Sequence, residues 1–239
     1  MSDCQDKITN ATTALVFFSL EFNRLDEAHL EALLAANAEL ARYRPVFDRM
    51  RAMKPYQLSD EMEKFLHDQS VVGAAAWNRL FDETIAGMSF AVDGEVMGIE
   101  ATLNCLSEQN RAKREAGARA LVKGFAAQLP LFARVHNTLA KEKEIEDRWR
   151  KLPSAQAARH LANHVEPEVV EALRNAVVAA YPRLSHRYYA LKAKWLGLET
   201  LEVWDRNAPL PMEDERIVRW IEARRIVTEA YSAFDPRMA

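Results

Sequence analysis

The chain has 239 residues and a formal net charge of −3, so it offers neither a basic field for nucleic acid nor an acidic block of the kind found in disordered tails. Apolar residues make up 49% of it and only 7 are glycine; a chain this poor in glycine and rich in Ala, Leu, Glu and Arg is expected to be helical around a sizeable core. Cys4 and Cys105 make no disulfide framework, and the longest N-terminal apolar run, Ala14 to Phe18, is too short to span a bilayer and has no basic stretch before it, which points to a soluble, reduced, cytoplasmic protein.

From Ile8 to Ala36 the pattern is helical, with Leu15, Phe18, Phe22 and Leu25 at three- and four-residue spacings and Asp26 placed to cap a second piece through Leu33 and Leu34. Pro45 breaks or opens the next element. Ser59 is a suitable N-cap for a helix that buries Phe65 and Leu66. Ala74 to Ala86 reads as a helix with Trp77, Leu80, Phe81 and Ile85 as its apolar stripe. Asp93-Gly94 between two short β-prone runs, Ser89 to Val92 and Glu95 to Met97, predicts a type I′ hairpin.

Ser107 to Arg150 reads as a long helical region that Pro130 kinks or divides, because proline cannot donate the i−4 hydrogen bond. Its charged part, Lys141 to Arg148, reads as a solvated face. Ser154 is expected to cap the following helix, and Pro167 to open another that runs to Ala180. Tyr181-Pro182 turns the chain into a helix carrying Tyr188, Tyr189, Leu191 and Trp195, with Gly197 as its C′ residue. Leu201 to Pro211 is expected to be extended, and a last helix covers Trp220 to Ser232. Asp235-Pro236 is a helix-start signal three residues before the final Ala239, which reads either as truncation or as a turn in a frayed tail. The expected fold class is therefore all-α, a helical array with one small β-hairpin near residues 89–97. We read residues 1–239 as a single helical unit: N-terminal helices over 1–87, the hairpin over 88–98 and a second helical region over 99–239.

Chemistry is sparse. His160 and His164 are spaced i, i+4, as two ligands on one helical face would be. However, Leu161 stands where a zinc peptidase needs the glutamate that activates water, so two surface or packing histidines are the better reading. His186-Arg187-Tyr188-Tyr189 puts a proton donor, a cation and two phenols in one turn. Such groups can line a peptide groove, while spacing alone favours Tyr189 packed inward with His186 and Arg187 solvated. Trp204-Asp205-Arg206-Asn207 sets a carboxylate beside a guanidinium, read as a local ion pair holding an extended loop, with Asp205 as a further groove candidate. No nucleophile elbow, phosphate-binding loop or thiol-enzyme signature is present.

Several segments resemble the oligoendopeptidase F-type zinc peptidases, a thimet-oligopeptidase-like family. They are Gln5-Asp6-Lys7-Ile8 through Leu20-Glu21-Phe22-Asn23, Trp77 to Thr84 before the hairpin, Asn137 to Trp149 after it, and Leu184 to Lys192 with Trp204 to Pro211. The resemblance covers nearly the whole chain. It implies a largely helical enzyme that encloses a deep channel and cuts short, unstructured peptides. In that family His-Glu-x-x-His and a downstream glutamate hold zinc, and the motif glutamate activates water. None of the 6 histidines here is followed by glutamate, so the implied site is missing, and Pro130 departs from the helix former expected there. The chain is expected to supply scaffold and channel wall as an incomplete part of the larger fold, to bind no zinc, and to be inactive alone. Short peptides are the implied ligands of the complete enzyme. A complementary chain carrying the catalytic half is an implied partner, and no nucleic acid or membrane partner is expected. The alternative is a non-catalytic helical module that binds peptides or proteins.

Overall fold

The computed structural model describes residues 2–13, 15–211 and 217–238. It is helical throughout except for one two-stranded antiparallel sheet. The helical stretch expected from Ile8 to Ala36 forms parts of three helices, α1 (Ser2–Thr13), α2 (Val16–Arg24) and α3 (Glu27–Ala36), the last capped by Asp26 as expected. Leu25 leaves the helical region, and the Asp26 carboxylate accepts the Ala28 N–H at 3.0 Å to start α3. Asn37 caps the short α4 (Ala38–Ala41), and Pro45 opens α5 (Arg44–Arg51). Phe22, Leu30 and Leu34 form a buried cluster completed by Leu25, Leu40, Phe47 and Met50. Arg51 seals its edge by donating to the Leu25 carbonyl at 3.0 Å and to the Phe22 carbonyl at 3.3 Å, which also accepts the Leu25 N–H at the end of α2.

Ser59 caps α6 (Asp60–Gln69), accepting from Met62 N–H, but Phe65 is exposed where burial was expected, and Leu66 is half-buried. After α7 (Ala74–Gly87) the hairpin forms as expected from β1 (Phe90–Val92) and β2 (Glu95–Met97), with Phe90 opposite Met97 and Val92 opposite Glu95. Asp93 and Gly94 both have positive φ, 50° and 88°, the type I′ geometry that Asp-Gly tolerates. Phe90 and Val92 point inward.

α8 (Ile99–Cys105) and the hairpin lie on α9 (Arg111–Arg150), a single helix of 40 residues. Asn110 starts it by accepting the Ala112 N–H at 2.9 Å, so the helix begins after Ser107. Two glycines let these elements touch. A Cβ at Gly117 would lie 2.7 Å from Cys105 Cβ, and one at Gly124 would lie 2.5 Å from Phe90 Cε1. Pro130 does not divide α9. It removes one hydrogen bond, to the Ala126 carbonyl, while Phe125 and Phe132 on either side are tied into packing, Phe125 against Phe90 and Phe132 against Phe81.

The C-terminal part departs from expectation in two local ways. The next helix, α10 (Ala157–Asn163), takes Gln156 as its N-cap residue, and Ser154 contributes its backbone carbonyl rather than a side-chain cap. α11 (Pro167–Ala180) opens at Pro167 as expected. α12 (Ser185–Trp195) ends in a Schellman motif, with Gly197 at φ 68°, its N–H on the Lys194 carbonyl and the Leu198 N–H on the Ala193 carbonyl. Residues 201–211 are not simply extended, since Val203–Asp205 forms a 3₁₀ turn. α13 (Trp220–Phe234) follows, and Asp235-Pro236 leads only into a 3₁₀ turn, Pro236–Met238. Val169, Leu173 and Val177 on α11 and Trp220, Val227 and Phe234 on α13 are exposed. Among the described residues no helix is long and apolar enough to cross a membrane.

Candidate functional site

A groove of about 1120 Å³ lies between α6, the start of α7 and the second half of α9. α9 presents Arg134, Thr138, Lys141, Glu142, Ile145 and Trp149 to it, an i, i+3, i+4 series along one helical face. α6 faces it with Met62, Phe65 and Leu66, and α7 with Trp77. Phe65 and Trp149 are each 58% exposed. The stretch read as a solvated charged face is therefore partly the wall of this groove.

Polar contacts fix the groove's shape. At one end Arg150 grips Glu63, with Nη1 to Oε1 at 2.6 Å and Nη2 to Oε2 at 2.9 Å, and also donates from Nε to Glu146 at 2.7 Å. Burial works to raise the Glu63 carboxyl, but Arg150 and the Leu58 N–H together hold it below the usual carboxylate range. The same bond to Glu63, more than any loss from burial, raises the Arg150 guanidinium. Further along, the Glu142 carboxylate accepts the Ala74 N–H at 3.1 Å, satisfying a donor at the N-terminus of α7 from another helix. His67 on α6 meets the Thr12 hydroxyl at 3.1 Å, joining α1 to this wall.

A second constellation lies at the other end of α9. Asp205 is completely buried. Arg111 donates to it from Nε at 3.0 Å and Nη2 at 2.9 Å, and Arg114 from Nη2 at 2.9 Å. The Glu202 N–H adds a third partner at 3.1 Å. Burial favours the neutral acid, yet the two guanidinium groups hold its pKa at about 2. Arg114 also donates to the Trp204, Glu108 and Gln109 carbonyls. Arg119 sits over the Trp204 ring, 5.3 Å from its centroid. The expected local ion pair at this loop is thus a long-range one, made with arginines of α9 rather than with Arg206.

The other residues singled out by sequence are dispersed. His186 and Arg187 are exposed on α12. Tyr189 does not pack inward; it is exposed and lines a smaller hollow of about 520 Å³ with Ala193, Glu199 and Arg206. None of the four groove candidates lines the large groove. His160 lies in the last turn of α10 and His164 adopts a left-handed conformation, φ 52° and ψ 48°, just beyond it, so the two do not share one helical face. Among the described residues no three His, Cys, Asp or Glu side chains are gathered to hold a metal ion. These residues do not fit the zinc that the resemblance implies for complete enzymes.

Comparison with known proteins gives this geometry a context. A family model described as Oligopeptidase F matches residues 21–90. Over 228 residues, 90% of this chain and 38% of the relative, the sequence is 27% identical to the group B oligopeptidase PepB of Streptococcus agalactiae serotype III. The chain is a relative of the oligoendopeptidase F proteins. Oligopeptidase PepF of Bacillus subtilis is 25% identical over 222 residues, 90% of this chain and 33% of that protein. The oligoendopeptidase F fold is shared as well: the crystal structure of oligoendopeptidase-F from Enterococcus faecium superposes with a TM-score of 0.72 at 23% identity, over 84% of this chain and 41% of that one. The chain therefore spans about a third of the length of its curated relatives, 38% and 33% for the two named.

Sequence reasoning missed the large groove. The available signal was the periodic series from Arg134 to Trp149, which mixes Ile145 and Trp149 with charges on one face of α9.

Proposed function

We propose that this chain is the scaffold and channel wall of a cytoplasmic, zinc-dependent oligoendopeptidase that hydrolyses bonds within short peptides. The observation that carries the reading is similarity to oligopeptidases along 90% of the chain. The 239 residues contain no His-Glu pair, so the zinc ligands and the water-activating glutamate come from a polypeptide carrying the catalytic half. Without it these residues do not cleave peptides. Exposed apolar faces on α11 and α13 support such a covering polypeptide. In this reading residues 1–239 form one helical unit of a larger fold, divided at 88–98 by the hairpin. His186, Arg187 and Tyr189 line the channel, and Asp205 anchors the loop beside them.

The test is a chimera in which this chain replaces the matching third of the Bacillus subtilis relative. A folded chimera should cleave a quenched-fluorescent peptide, and a chelator should stop it. A folded but inert chimera would sink the reading. Chelator-sensitive cleavage by the 239-residue chain alone would overturn its inactivity.

The second reading is a non-catalytic module that binds peptides or proteins. One observation favours it: the groove between α6, α7 and α9 presents exposed Phe65 and Trp149. Under that reading the chimera is inert while the chain still binds.

A further inference from the structure

We propose that the groove between α6, α7 and α9 is a docking site for an extended, apolar peptide of about seven residues whose terminal carboxylate is held by Arg134. The proposal deepens the peptide-handling reading above and rests on it for the class of ligand.

The pattern of hydrogen-bond partners in the groove points to the carboxylate. Glu63 and Glu146 are both engaged by Arg150. Glu142 is taken up by the Ala74 N–H, and Lys141 donates to Glu144 at 2.5 Å. His67 is engaged by Thr12. The Arg134 guanidinium lines the same wall and forms no hydrogen bond or ion pair with any described residue; the amide of Asn137, one turn on, likewise has no partner among them. A guanidinium fork beside an amide N–H₂ is a donor set suited to a carboxylate.

The rest of the groove is suited to apolar side chains. Phe65 and Trp149 stand exposed on opposite walls, with Met62 and Ile145 beside them. α7 is fixed against α9 at Ala74–Glu142 and at Phe81–Phe132, whose ring centroids are 5.4 Å apart. Trp77 therefore lies opposite the stretch of α9 between those two anchors, where Arg134 is. The aromatic surface thus continues to the cationic end.

Length follows from helix geometry. Arg134 to Trp149 is fifteen residue steps of α9, about 22 Å at the usual helical rise. An extended chain covers that distance in about seven residues. The clamps at Glu63–Arg150 and Glu142–Ala74 preset the separation of the walls, so a peptide does not have to open them.

The test uses the 239-residue chain and a seven-residue peptide, fluorescein-labelled at its N-terminus, with leucines at its first four positions and a free C-terminal carboxylate. Its C-terminal amide is the control. Fluorescence anisotropy should show the acid binding about tenfold tighter than the amide. Arg134→Gln, at an exposed position, should abolish that preference while leaving amide binding unchanged. Trp149→Ala should weaken both. Equal binding of acid and amide, or binding of neither, overturns the proposal. So does sedimentation showing that a second copy fills the groove, with dimers lost on Phe65→Asp. The outcomes separate the two readings: an active chimera without peptide binding to the chain defeats only this inference. Peptide binding with an inert chimera defeats only the peptidase role.

Discussion

Arg150, the last residue of the 40-residue helix α9, reaches Glu63 on α6 with both terminal guanidinium nitrogens. In the first turn of the same helix, Arg111 and Arg114 reach Asp205. α9 is thus pinned at each end to a segment about ninety residues away in sequence, 87 for Glu63 and 94 or 91 for Asp205. Between the pins it carries the hairpin on one stretch and the groove on the other.

Glu63→Gln should destabilise the chain by about 1–2 kcal/mol, a buried-pair loss reduced for partial solvent screening. Arg150 keeps Glu146 and the Tyr56 carbonyl as partners, which limits the damage. Urea denaturation at neutral pH measures it. No change in midpoint would show that this pair does not hold α6 to α9.

Asp205→Asn should cost about 3 kcal/mol, because Arg114, only 4% exposed, would be left without its countercharge. The acid sensitivity follows from the sign of the shift. The folded pKa of about 2 lies below the unfolded value near 3.8. The stabilisation is therefore complete above about pH 4 and is lost as pH falls towards 2. Thermal melting of the wild-type chain should drop across that window, and the variant should lose this component of the drop. Parallel curves for both proteins would refute the assignment.

Gly124→Ala replaces the poorest ordinary helix former with the best, which by propensity alone would stabilise α9 by about 1 kcal/mol. The opposite sign is expected here. The added methyl would meet the Phe90 ring at 2.5 Å, and Phe90 is fully buried. Overpacking of this kind costs about 1–3 kcal/mol. Phe90→Leu in the same chain should return part of the loss, and a stabilised single variant would show that the hairpin does not press on α9.

Pro130→Ala should stabilise the chain by about 1–3 kcal/mol, since Pro130 sits exposed inside a continuous helix and withholds one backbone donor. Calorimetry should record a higher midpoint. A lower one would mean that a bend at Pro130 is needed for Phe125 and Phe132 to pack together, their centroids 5.9 Å apart.

Local signals were read well where the physics is local. Asp26 and Ser59 cap, Pro167 opens a helix, Gly197 closes one, and Asp93-Gly94 turns a hairpin. Each depends on the conformational preferences of two to four neighbouring residues. Pro130 marked either a kink or a division, and the structure removes only the division, since α9 runs through it as one helix. Asp205 misled, because Arg206 is its sequence neighbour but the partners that hold it are on α9. His160 and His164 were spaced for one face, yet the helix ends between them.

The sequence by itself determined the helical class, the hairpin, most helix boundaries and the likeness to oligoendopeptidase F proteins, because periodicity, caps and turn residues act over a few positions. Only the tertiary structure decided what surrounds α9. Which arginines neutralise Asp205, and which carboxylate meets Arg150, depends on segments brought together from far along the chain. So does the use of a charged helix face as one wall of a groove. Side chains ninety residues apart leave no spacing signal in a single sequence, and their pairing is set by how the helices pack.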